Sequence, residues 1–170
     1  MLNLSGLLLL TYTAAVADTA LAPVLDVYHV APSLLALLAI AWVVTAAASP
    51  WRVVQCAAIG LVFDFNGGGH AGIGMAGFAV AGFVLLHFRP AMRRLDPVGQ
   101  ALVTAALVAA LLLVVGLGNL LFGQALPALP VALFRGLAAG AYTGAVSLPV
   151  WMILDWLRAS RRPRLGTSLL

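Results

Sequence analysis

The chain has 170 residues, of which 64% are hydrophobic and 8% are charged, with a net charge of +4 and one cysteine, Cys56. Soluble globular domains average roughly 45–50% apolar and about 25% charged residues, so this composition excludes an ordinary soluble enzyme, a disordered chain and a disulfide scaffold. All nine basic residues are arginine, and in a chain with a mean hydropathy of +1.10 they indicate orientation in a membrane rather than binding to nucleic acid.

The apolar runs predict an all-α integral membrane protein with about six helices in one compact bundle, since a helical crossing takes about 20 residues. No Lys or Arg precedes the first run, which favours a retained helix over a secretory signal peptide. Pro32 is predicted to open the second helix, because the first turn does not need the N–H that proline lacks. The predicted helices are Leu4–Ala22, Pro32–Ala48, Trp51–Asn66, Ala71–Phe88, Pro97–Phe122 and Val131–Leu157.

The placement of the arginines predicts the orientation of the bundle. With six crossings, Arg52, the charged loop Arg89–Asp96 and the C-terminal tail all fall on one side of the membrane. Basic segments favour the cytoplasmic side, and only Arg135 lies on the other side. We therefore expect one transmembrane domain over residues 1–158, an arginine-rich cytoplasmic tail over residues 159–170, and both termini in the cytoplasm.

The last predicted helix carries two successive G-x-x-x-G steps, formed by Gly136, Gly140 and Gly144. In lipid, small residues allow helix backbones to approach closely and so hold helices together. The stripe has two interpretations. It could pack against another helix of the same bundle, or it could be the docking face for the transmembrane helix of a partner.

Three charged residues are expected at similar depth near the outer ends of their helices: Asp18, Asp64 and Arg135. Because unpaired charges in a membrane are costly, we expect Arg135 to form a buried ion pair with Asp64 or Asp18. A proton or cation site at Asp64 is the functional alternative. Such a path usually needs several ionisable groups in series, and the middles of these helices carry almost none.

The sequence contains no recognisable catalytic motif. Asp155 and Arg158 have the spacing of a simple i,i+3 pair on a helix surface. The three histidines, His29, His70 and His87, do not have metal-ligand spacing with the acids, and neither a nucleotide-binding loop nor a nucleophile elbow occurs. We therefore expect no cofactor and no metal. Two classes remain, a scaffold subunit and a subunit that binds or transports a small molecule.

The segment Gly60–Asp64 reads G-L-V-F-D and is followed by a short polar break and Gly72. This pattern resembles the G-L-x-x-D … P-L-G signature of the MreD family of bacterial rod shape-determining membrane proteins. Pro32 before the second helix and the arginine-rich tail agree with that family. The chain departs from the family where residues 70–71 replace Pro-Leu and where Ser33 replaces an acid that often follows the proline.

The resemblance implies a non-enzymatic scaffold subunit of the cell-elongation machinery in the bacterial inner membrane. Such a subunit binds MreC and helps to link MreB filaments, RodA and the elongation transpeptidase to peptidoglycan synthesis, in contact with membrane lipid and not with nucleic acid. It also implies that Gly60, Asp64 and Gly72 hold the outer corner between the third and fourth helices.

The resemblance further implies a fold similar to the substrate-binding subunits of energy-coupling-factor transporters, so a vitamin or small-molecule transporter subunit is the alternative function. The Ala-x-x-x-Ala pattern by which those subunits commonly couple to their partner is absent from the first helix. Four residues in the outer turns could nevertheless converge on a ligand: Tyr28, His29, Asn66 and His70.

Overall fold

The computed structural model of the chain describes residues 4–25, 30–67, 70–123 and 129–160. Over these ranges the chain is helical and has no β-strand, and the prediction of six helices is confirmed. The helices are α1 (Leu4–Leu25), α2 (Leu34–Thr45), α3 (Trp51–Gly67), α4 (Ile73–Met92), α5 (Pro97–Leu121) and α6 (Leu129–Ser160).

The start of α2 differs from the prediction. The helix begins at Leu34, and Pro32 is buried two residues before it, outside the helix. The reason is the intervening Ser33, whose hydroxyl oxygen accepts a hydrogen bond from the Ala36 N–H at 3.3 Å. Serine is among the preferred N-cap residues because it satisfies one of the free N–H groups of the first turn.

The end of α4 also differs. The helix includes Arg89 and Pro90 and continues to Met92, so the charged segment that was predicted to be a loop begins one turn later. A proline inside a helix removes one backbone hydrogen bond, and here the loss falls in the last turn. The Arg89 side chain holds this turn by binding the end of α2.

Successive helices run in opposite directions. At one end of the bundle, Asp18 of α1 and Thr143 of α6 bind the first residues of α2, and Asp64 of α3 binds the first turn of α4. At the other end, Arg89 and Arg93 of the α4 terminus bind the last residues of α2. We call these the acidic end and the arginine end.

The helix α2 lies at the centre of the bundle and contacts each of the other five helices. Eight of its 12 residues are buried, and Leu35 and Val43 are completely inaccessible. A helix that is apolar on all sides is stable only when neighbours surround it. Trp151, Phe78 and Ile59 from α6, α4 and α3 complete this core.

Three described segments are long and apolar enough to cross a membrane: Ile73–Met92, Pro97–Leu121 and Pro130–Arg158. The 12 residues of α2 span only about 18 Å, less than the about 30 Å of a hydrocarbon core. The free backbone N–H and C=O groups at the two ends of α2 therefore need hydrogen-bond partners from neighbouring helices. Six complete crossings and the transporter-subunit fold stay predictions.

Candidate functional site

The buried residue Asp64, near the end of α3, caps the first turn of α4. Its carboxylate accepts hydrogen bonds from the backbone N–H groups of Gly72 at 2.7 Å, Gly74 at 2.7 Å and Met75 at 3.2 Å. The first N–H groups of a helix have no partner within the helix, and the helix dipole favours negative charge there. The N–H groups and the dipole at the start of α4 thus stabilise the negative charge of Asp64 without a cation.

Glycines allow α3 and α4 to approach closely enough for this cap. A Cβ atom on Gly60 would lie 2.6 Å from the Gly74 carbonyl oxygen and 2.8 Å from the Phe78 Cβ, and a Cβ on Gly74 would overlap the Asp64 carboxylate. Gly72 has φ of 107°, in the left-handed region that favours glycine. The residues predicted from the family signature, Gly60, Asp64 and Gly72, thus lie at one corner. Sequence reasoning did not identify Gly74 as its fourth member.

A second carboxylate, that of the half-buried Asp18 in α1, caps α2 in the same way. One of its oxygens accepts a hydrogen bond from the Leu34 N–H at 2.8 Å, and the other accepts one from the Leu35 N–H at 3.2 Å. Ser33 caps the next N–H, and its own N–H donates to the Thr143 hydroxyl at 3.0 Å. The start of α2 is therefore fixed by side chains from α1 and α6.

The predicted ion pair between Arg135 and Asp64 or Asp18 is not formed. Arg135 is exposed on α6, and its side chain makes no hydrogen bond or ion pair with any described residue. The prediction was wrong because it assumed that each buried carboxylate needs a cation. Helix N-termini fill that role at both aspartates.

At the arginine end, two guanidinium groups bind the last carbonyl groups of α2. Arg89, which is 8% exposed, donates from Nε to the Val44 oxygen at 3.3 Å and from Nη2 to the Ala46 oxygen. Arg93 donates to the Val44 and Thr45 oxygens at 2.7 and 2.9 Å. Cations are favourable at a helix C-terminus. Both ends of α2 are therefore capped by charged side chains that belong to other helices.

A third arginine, Arg52 of α3, lies at the same end of α2. Its guanidinium stacks over the Trp42 ring at 4.7 Å and donates to the Gln55 side chain at 2.8 Å. Arg158 of α6 forms the i,i+3 ion pair with Asp155 at 2.8 Å, which confirms the predicted pair. Burial lowers the pKa of Arg93, and the charge of Arg158 lowers it further.

Replacing Arg89 by Gln should destabilise the protein by about 2 kcal/mol, because a buried charge-assisted hydrogen bond to the end of α2 is lost. The single cysteine, Cys56, is 1% exposed, so its labelling by a thiol-reactive dye during heating reports unfolding. Arg94→Gln is the matched control, since the exposed Arg94 side chain binds no described residue. Equal unfolding temperatures for the two variants would contradict the capping role.

The glycine stripe of α6 packs against α5 of the same chain. A Cβ on Gly140 would lie 2.6 Å from the Ala105 carbonyl oxygen and 2.7 Å from the Ala109 Cβ. One on Gly144 would lie 2.6 Å from the Ala105 Cβ, and one on Gly136 would lie 3.2 Å from Leu113. The structure therefore agrees with the first interpretation, in which the stripe packs inside the bundle. Because α5 covers the three glycines, a partner helix has no room to pack against them.

An apolar groove separates α4 from α5. Its larger part, about 790 Å³, begins beside His70 and Phe122 at the acidic end, and its smaller part, about 260 Å³, reaches Leu95 at the arginine end. Val84 and Leu107 line both parts, so the groove follows the two helices along their length. Small residues line the larger part, namely Gly72, Ala76, Gly77, Ala81, Ala110 and Gly118.

The polar residues predicted for the outer turns are only partly described. Tyr28 and His29 lie outside the described residues, while Asn66 and His70 are exposed. The His70 N–H donates to the Asn119 side-chain oxygen at 3.3 Å. Within the described ranges no three His, Cys, Asp or Glu side chains are grouped so that they could hold a metal ion.

Comparison with known proteins gives one family. A family model described as rod shape-determining protein MreD matches residues 1–154. No curated protein and no solved structure matches the chain. The matched range contains all six helices except the last residues of α6.

Proposed function

The chain belongs to the MreD family of rod shape-determining proteins, and from this premise we propose that it is a non-enzymatic scaffold subunit of the cell-elongation machinery. It binds MreC in the inner membrane and thereby helps to link MreB filaments, RodA and the elongation transpeptidase to peptidoglycan synthesis. The arginine end faces the cytoplasm, as the positive-inside rule favours. The observation that carries the proposal is the family match over residues 1–154.

The α4–α5 groove is the surface that suits a partner helix. It follows both helices from the acidic end to the arginine end, and its lining is almost entirely apolar. Glycine and alanine along its larger part would let another backbone approach closely, which is how helices associate in lipid. The transmembrane helix of MreC would fill this groove, whereas α5 already covers the glycine stripe of α6.

Filling the groove should weaken the complex without unfolding the protein. Ala76 and Ala110 are exposed residues that line it. In Ala76→Leu/Ala110→Leu, we expect recovery of MreC in mild detergent to fall at least about tenfold, since overpacking of a close contact costs about 1–3 kcal/mol. The yield and the Cys56 labelling temperature should stay unchanged.

Ala58→Leu/Ala141→Leu is the matched control, because both alanines are exposed on α3 and α6 and lie away from the groove. Equal recovery of MreC with both double variants would exclude the groove as its docking surface. Purification of the tagged wild-type protein tests the function itself. Recovery of an ATPase pair with a membrane coupling subunit, in place of MreC and wall synthases, would favour the transporter alternative.

A further inference from the structure

The exposed apolar face of α3 is short. The helix has 17 residues and spans about 25 Å, and it is not among the three described segments that are long enough to cross a membrane. Its exposed face runs from Val54 to Phe65, which are 50% and 73% exposed and 11 residues apart. This face covers only about 17 Å along the helix axis, whereas a hydrocarbon core is about 30 Å thick.

Polar groups fix both ends of this face. At the arginine end, the Arg52 guanidinium donates at 2.8 Å to the side-chain oxygen of Gln55, one turn further along α3, and the same oxygen accepts the Trp42 indole N–H at 2.8 Å. The guanidinium is therefore held beside Gln55 and is not free to extend away from the helix. At the acidic end, the exposed Asn66 follows the face and the helix ends at Gly67.

The exposed apolar face of α5 is about twice as long. It extends from Val98 to Leu121, which are 23 residues apart, or about 35 Å. A helix that is too long for the bilayer can tilt, whereas one that is too short requires a thinner bilayer, extended flanking side chains or association with another chain. Because Gly60 and Gly74 pack α3 closely against α4 and its flanking groups are held, the mismatch at α3 falls on the lipid.

We propose that the bilayer is thinned by roughly 10 Å beside α3, so that this side of the protein fits lipid with short acyl chains. The connection before α3 supports a thin layer, since Ala47, Ala48 and Pro50 are exposed and not helical. Irregular backbone that is exposed to lipid does not occur within the hydrocarbon region, so this connection lies at the water boundary. The inference rests on the membrane location of the chain and not on MreC or the scaffold function.

Nitroxide labels on α3 and α5 test the proposal in the full chain, reconstituted in dioleoylphosphatidylcholine vesicles. In a Cys56→Ala background, labels are attached to Ala58→Cys and Ala106→Cys, since both alanines are exposed. These labels lie about 6 Å and about 12 Å from the nearer ends of their apolar faces. Power saturation with oxygen and a water-soluble nickel chelate measures their depth, and we expect the Ala58 label to lie about 6 Å closer to water.

In a bilayer of uniform thickness the result would be the opposite. The Ala58 label would lie as deep as the Ala106 label or deeper, because Ala58 is nearer to the middle of its apolar face. That result would overturn the proposal. Spin–spin broadening at Ala58 would also overturn it, because it would show that a second copy of the chain, rather than lipid, covers α3.

The length of the lipid acyl chains gives a second measurement. The Cys56 labelling temperature should be highest in dimyristoleoylphosphatidylcholine and lower by roughly 5 °C in the long-chain dierucoyl lipid. Asn66→Leu/Gly67→Leu lengthens the apolar face by about 3 Å and should move the optimum to longer chains. Val54→Leu/Ala58→Leu is the matched control, because it adds apolar surface within the face without lengthening it. A labelling temperature that is independent of chain length, or one optimum for both double variants, would contradict the thinning.

Discussion

Replacing Asp64 by Asn should be among the most damaging single changes in this protein. The Asp64 carboxylate accepts hydrogen bonds from three backbone N–H groups at the start of α4. The substitution removes its negative charge and turns one acceptor of the side chain into a donor. We expect a loss of about 3 kcal/mol, because hydrogen bonds to a charged acceptor are lost and at least one buried N–H group is left without its partner. Dye labelling of Cys56 during heating should show a fall in unfolding temperature of roughly 10 °C.

Asp96→Asn is the matched control for this change. Asp96 is the exposed N-cap of α5, where its side chain accepts a hydrogen bond from the Gly99 N–H at 3.0 Å. Asparagine is as good an N-cap as aspartate, so this variant should unfold at the wild-type temperature. If Asp64→Asn also kept the wild-type unfolding temperature and supported rod shape in cells, the capping role of Asp64 would be refuted.

Replacing Gly140 by Leu should separate α5 from α6. Even the Cβ atom would lie 2.6 Å from the Ala105 carbonyl oxygen and 3.0 Å from the Ala109 backbone nitrogen, and backbone atoms cannot move aside as a flexible side chain can. Overpacking of this kind costs about 3 kcal/mol or more when the backbone has to shift. The protein level in membranes and the Cys56 labelling temperature should both fall.

Gly116→Leu provides the comparison, because no heavy atom of a neighbouring described residue lies within 4 Å of a Cβ placed on Gly116 in α5. The two substitutions make the same chemical change in neighbouring helices, so only the packing differs. We expect Gly116→Leu to leave the protein level unchanged or slightly higher, since leucine is a better helix former than glycine. Similar losses in both variants would mean that the stripe is incidental.

The two predictions concern two different helix pairs. Asp64 and Gly60 hold α3 against α4, and Gly140 and Gly144 hold α5 against α6. Between these tightly packed pairs lies the α4–α5 groove. The proposed docking surface is thus flanked by two rigid seams, and a variant that loosens either seam should also lower the recovery of MreC.

The sequence by itself determined the helices and the family. Apolar runs interrupted by proline, glycine and arginine place six helices to within a few residues, because each crossing needs a long apolar segment and each break needs residues that end a helix. The G-L-V-F-D string at Gly60–Asp64 identified the family, which the match over residues 1–154 shows. Both signals are local, so no knowledge of packing is needed to detect them.

Only the tertiary structure decided what the two aspartates and the glycine stripe contact. The sequence suggested that Arg135 pairs with Asp64 or Asp18, but both carboxylates bind backbone N–H groups at the start of the next helix along the chain. Every helix start offers such donors, and which start a carboxylate reaches depends on how the helices are arranged. Likewise, Gly140 could have faced either a neighbour or lipid, and the packing of α5 against α6 made that choice.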